Sequence, residues 1–131
     1  MKSLTSLKFA SFIALLAVGS ADMAAAQSQG ASRFAELAGA EGCEFPETPN
    51  IPEADSVTME QMVAAQGAIQ SYMEESNELL ECLDEITSDE DLPDEDRQIV
   101  VEGYNTEVET QESLAESWNV QRTRFLELQQ Q

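Results

Sequence analysis

Histidine is absent from all 131 residues, and there are only two cysteines, one tryptophan and four prolines. Without histidine there is no imidazole to act as a general base, and no zinc site of the mixed His/Cys kind can be assembled. Cations are almost as scarce, since six Lys and Arg stand against 26 Asp and Glu, a net charge of −20. A chain with so few positive groups does not neutralise phosphates, which argues against nucleic-acid binding and against docking on an anionic bilayer. One domain is the most this length allows. What remains is an acidic, non-enzymatic chain. Paired carboxylates could serve a glycosidase only with a pocket and split environments, and narrow helices offer neither. No cofactor is expected.

The chain opens with an address. Met1 to Lys8 carries two lysines, Phe9 to Val18 is apolar except for Ser11, and Ala24-Ala25-Ala26 supplies small residues. That order is a secretory signal peptide over residues 1–26, with cleavage expected between Ala26 and Gln27. The apolar run is shorter than the ~20 residues a transmembrane span needs. The protein is therefore expected in the periplasm or outside the cell, with no membrane attachment after cleavage. The remaining chain keeps four basic residues (Arg33, Arg97, Arg122 and Arg124) and no lysine. Residues 27–42 are rich in Ala, Ser and Gly and read as a flexible leader with a turn or two of helix near Arg33 to Leu37.

In an exported chain the even pair Cys43 and Cys82 predicts one disulfide. A redox-active pair is disfavoured, because there is no C-x-x-C spacing and no basic neighbour to activate a thiolate. After Cys43, the residues Pro46, Pro49 and Pro52 recur every third position. That period fits an extended polyproline arm with all three rings on one edge. The arm could be a ligand for a partner groove, as an inhibitor would present, or packing for the protein's own helices. Cys43 favours the second.

Two long helices follow. Thr58 to Gln61 fits a capping box. Met62, Ala65, Ile69, Tyr72, Leu79, Leu83 and Ile86 then recur at helical spacing, with Met73 and Leu80 widening the stripe and Ser76 interrupting it. The acidic turn Asp89 to Asp96 contains Pro93, which suits a helix start. A second stripe runs Val100, Val101, Tyr104, Val108, Leu114, Ala115, Trp118, Phe125 and Leu128. The predicted fold is all-α: over residues 43–131, an antiparallel coiled-coil-like hairpin with the arm clamped to it by the disulfide. With the tip at Glu90, Ser76 should meet Tyr104, Tyr72 should meet Val108 and Met62 should meet Trp118. Phe45, Ile51 and Val57 should supply the arm's apolar contacts.

Two candidate sites follow. In that register the end of the second helix overhangs the first, so Trp118, Phe125, Leu126 and Leu128 form a candidate surface for a protein partner or a homodimer. The acidic tip offers Asp89, Asp91, Asp94 and Asp96, with Glu90 and Glu95, as oxygen ligands for Ca²⁺. The EF-hand spacing fails there, because Pro93 takes a ligand position and no glycine makes the turn.

From Cys43 to Leu83 the chain resembles a group of small secreted proteobacterial proteins. In these a C…P…P…IP arm precedes a helix of the form M-x-x-A-Q-x-x-(V/I)-x-x-Y ending in L-x-C-L. The matching residues are Cys43, Pro46, Pro49, Ile51, Pro52, Met62, Ala65, Gln66, Ile69, Tyr72, Leu80, Cys82 and Leu83. Glu53-Ala54 stands where Asp-Gly is expected. The resemblance implies export, the disulfide and a helical hairpin, and it brings no activity. The reading is a non-catalytic exported helical protein that works by protein contact, with divalent-cation binding as the alternative.

Overall fold

The computed structural model describes residues 21–131, with side chains from Ser28 onward. The expected signal sequence up to Ser20 lies outside the described residues. The described chain is all-helical: α1 (Ala21–Ala40), a short 3-10 turn (Ala54–Ser56), α2 (Met59–Ser88) and α3 (Asp94–Gln129). One disulfide joins Cys43 to Cys82 with Cα atoms 5.8 Å apart. No described helix is long and apolar enough to cross a membrane.

The start of α2 is set by Thr58, whose side chain accepts from the Gln61 backbone while the Gln61 side chain accepts from the Thr58 backbone. These reciprocal bonds satisfy two amides that a helix start leaves open. α3 starts after Pro93, and its first turn holds Asp94, Glu95 and Asp96 at the positive end of the helix dipole. Arg97 closes the turn between them, donating to the carbonyls of Thr87, Asp89 and Leu92.

Contacts between α2 and α3 run in opposite chain directions. Leu83 and Ile86 share a buried cluster with Val100. Ile69 and Tyr72 pack on Leu114, and Met62 packs on Phe125. The pairing lies up to about one turn further along α3 than the sequence reading places it. Ser76 and Tyr72 both reach Glu107 rather than Tyr104 and Val108. The cause is local, since α2 continues to Ser88 and α3 begins at Asp94, so the turn centres beyond Glu90.

The largest departure is the leader. Residues 27–40 belong to α1, which docks by Phe34, Leu37 and Ala38 onto the cluster around Leu79, Leu83 and Val100. Its end is a Schellman motif: Cys43 N–H donates to the Ala38 carbonyl, Gly42 N–H donates to that of Gly39, and Gly42 sits at φ +76°. That left-handed position suits glycine, which has no Cβ to clash. Cys43 and Ala38 share the same cluster, so the disulfide and the helix end are one packed unit.

From Cys43 the chain leaves α1 without regular structure and then follows the helix pair. Ile51 packs against the cluster of Ile69, Tyr72 and Leu114. Ala54 and Val57 reach Met62 and Phe125. Phe45 makes only an edge contact with Phe34, with ring centroids 5.6 Å apart, and stays half exposed.

Candidate functional site

Each long helix is striped on more than one side. On α3, Asp96, Ile99, Gly103, Thr106, Thr110, Ser117, Gln121 and Arg124 recur at heptad-like steps. This is the side that α1 and the arm use. Arg33 of α1 makes two bonds to the Asp96 carboxylate, at 2.9 and 2.6 Å. The paired Asp96 is held below the usual carboxylate range, first by these hydrogen bonds and then by the nearby charge. Phe34 lies directly over Gly103, where an added Cβ would overlap its ring. Further along, Gln121 accepts from the Ala54 backbone at 3.0 Å, and Arg124 grips Asp55 at 2.8 and 2.5 Å. Arg33, Arg97 and Arg124 thus each tie two segments together. Bidentate arginine pairs of this kind fix orientation as well as contributing energy.

Between α2 and α3 lies a polar network. Tyr72 donates to Glu107 at 2.6 Å, Ser76 donates to the same oxygen, and Gln111 donates to Ser76 at 2.8 Å. Ser76 is fully buried, yet no buried side-chain nitrogen or oxygen lacks a partner among the described residues. Burial, then the bond to Glu107, pushes the Tyr72 hydroxyl above its ordinary value. Such a network fixes register, because a slip would strand its members.

The opposite side of the helix pair is different. On α2, Met59, Val63, Gln66, Gln70, Met73, Asn77 and Leu80 follow strict alternating steps of four and three. On α3, Val101, Tyr104, Val108, Gln111, Ala115, Trp118 and Arg122 do the same. The two rows lie side by side, since Gln111 donates to Asn77 at 3.1 Å. Met73 and Trp118 also flank one cluster. Met59 is 53% exposed, Val63 61% and Val101 43%, while Met73, Leu80, Tyr104, Val108 and Trp118 are partly exposed. Leu126 continues the surface at 41%. No described segment lies across it.

The expected partner surface is therefore split. Phe125, expected to overhang, is 2% exposed and buried by Ala54, Met62 and Val57. The shifted register gives it a partner in Met62, and the turn at Ala54 closes over it. Trp118 is half-buried, Leu126 belongs to the open face, and Leu128 is exposed on the side of Arg124. At the acidic tip, Asp96 is taken by Arg33, and Asp89 accepts from the Asp91 backbone at 2.9 Å. Asp94 stays exposed. Among the described residues no three carboxylates are grouped to hold a metal ion. A cleft of about 290 Å³ between Phe34, Phe45, Leu79 and Gly103 is at the lower limit of small-molecule sites.

The sequence reading misses the open face as a unit, because it merges Met73, Leu80, Val101, Tyr104, Val108 and Trp118 with the core stripes and leaves Met59 and Val63 outside them. The second heptad row was the available signal. Comparison of the chain with protein-family models, curated proteins and solved structures finds no match.

Proposed function

We propose that this is a non-catalytic, exported helical protein that acts through protein–protein contact. Its body is a coiled-coil-like antiparallel hairpin of α2 and α3, with the proline-rich arm and α1 clamped along one side by Cys43–Cys82. The observation that carries the reading is the open face, two heptad rows in which exposed or partly exposed Met, Val, Leu, Tyr and Trp side chains stand among Gln66, Gln70, Asn77 and Gln111. Extended apolar surface framed by charge is the usual mark of an interaction site. Export is supported by the Met1–Ala26 pattern and by the disulfide. Cleavage after Ala26 would spare Arg33, Phe34, Leu37 and Ala38, through which α1 docks. The cation reading is less supported, because Asp96 is already engaged.

The test is positional. A photo-crosslinking residue at Val63 or Val101 in the producing cell should give a discrete adduct, and one at Ser113, on the arm side, should not. Adducts at no position, or equally at all, would sink the reading.

A further inference from the structure

The chemistry of the open face selects its occupant. The row from Met59 to Leu80 is about 32 Å long at helical rise, matching a helix of about six turns. Two adjacent heptad rows on a helix pair form a groove that accepts a further helix by knobs-into-holes packing. Met59 and Met73 are flexible and can adapt to unlike side chains. Helical spacing places Glu60, Glu74 and Glu81 along the outer border on α2, and Glu112 along that on α3, all exposed. Arg122 is the single cation within the two rows. A second copy would bring these acidic borders together and set −20 against −20, which self-repulsion opposes. An anionic lipid surface is repelled for the same reason.

We propose that the open face of α2 and α3 receives an amphipathic basic helix from a protein partner. The partner's Leu- or Met-rich stripe lies between Met59–Leu80 and Val101–Arg122, and its Lys or Arg residues meet the glutamate borders. This rests on the protein-contact reading and names the chemistry of the partner. Charge sets the rate and the choice of partner, while the apolar rows supply the affinity.

Trp118, the chain's only tryptophan, lies in the open row and serves as reporter. The oxidised, purified protein is titrated with a synthetic helix about six turns long, carrying Leu at heptad a and d positions and Lys elsewhere, without Trp or Met. A saturable one-to-one shift of Trp118 emission is expected. A scrambled peptide of the same composition should bind about tenfold more weakly or worse, and Val63→Glu with Val101→Glu should weaken the Leu/Lys helix by a similar factor. Both valines are exposed, so the variant should keep its melting temperature, and circular dichroism checks that. Equal binding by the scrambled peptide, or no effect of the double variant, overturns the proposal. A dimer in sedimentation that the same variant dissociates also overturns it, while leaving the contact reading intact. A monomer that ignores the peptide, yet still crosslinks at Val63 and Val101 in the cell, separates failure of the basic-helix chemistry from failure of protein contact.

Discussion

The two sides of α3 invert the usual relation between composition and cover. Beyond Ile99, the side touched by α1 and the arm is small and polar: Gly103, Thr106, Thr110, Ser113, Ser117 and Gln121. The opposite side carries Val101, Tyr104, Val108, Ala115, Trp118 and Leu126, and no described segment covers it. The polar side is suited to its neighbours. An irregular arm brings its own backbone groups and needs close approach, which small residues permit. Thr106 and Thr110 bond to carbonyls four residues back in α3, at 2.9 Å each, so their hydroxyls need no partner from the arm. Between these small residues and α2, α1 and the arm reach the buried Leu79, Leu83, Val100, Leu114 and Phe125, while the row from Val101 to Leu126 stays open.

Breaking the clamp should have the largest effect. The disulfide closes a sequence separation of 39 residues, for which the chain-entropy model gives about 4 kcal/mol. Urea unfolding with and without reductant should show a loss of that order, with α1 and the arm released first. The next contrast compares two glycines. Gly67 has open space where a side chain would go, so Gly67→Ala should stabilise α2 by up to about 1 kcal/mol. At Gly103 the new methyl meets the Phe34 ring, so Gly103→Ala should instead destabilise by about 1–2 kcal/mol. Phe34→Ala in the same chain should cancel that excess, a coupling that a double-mutant cycle reads directly.

Two pH arms follow. The folded chain holds Asp96 below its ordinary value through Arg33. Its contribution is complete above the unfolded value, near 4, and is lost as pH falls through the folded one. Asp96→Asn should flatten that acid arm of the stability profile. Tyr72 is displaced upward, so its contribution is complete below about pH 10 and is lost as pH rises through the folded value. Tyr72→Phe should remove that alkaline arm. The smallest effect belongs to the open face, where Val63→Ser and Val101→Ser should each change stability by less than about 0.5 kcal/mol. A loss of several times that would mean the face is packed.

Much of the local structure was legible. Thr58 and Gln61 announced the start of α2, and Pro93 with its acids announced that of α3, because caps act within one turn. The pairing of Cys43 with Cys82 follows from an even count in a chain expected to be exported. Other features depend on tertiary partners. Ser76 looked like a break in the stripe, but it is the buried centre of a network completed by Glu107 and Gln111, far along the chain. The apolar content of α1 is slight, so its sequence alone reads as a leader. Its docking depends on a notch at Gly103 and a carboxylate at Asp96, both far along the chain. Phe125 looked unpartnered because a shift of up to one turn decides whether it meets Met62 or water.

Methionine oxidation tests the open face with native side chains. Met62 is 4% exposed in the core, whereas Met59, three residues earlier, is 53% exposed and Met73 partly so on the open face. Peroxide reactivity follows exposure, and mass spectrometry reads each sulfoxide separately. An open face gives fast oxidation of Met59, slow oxidation of Met62, and protection of Met59 and Met73 by the basic amphipathic helix with no change at Met62. Equal reactivity of Met59 and Met62, or a bound helix that leaves Met59 and Met73 unprotected, would contradict it.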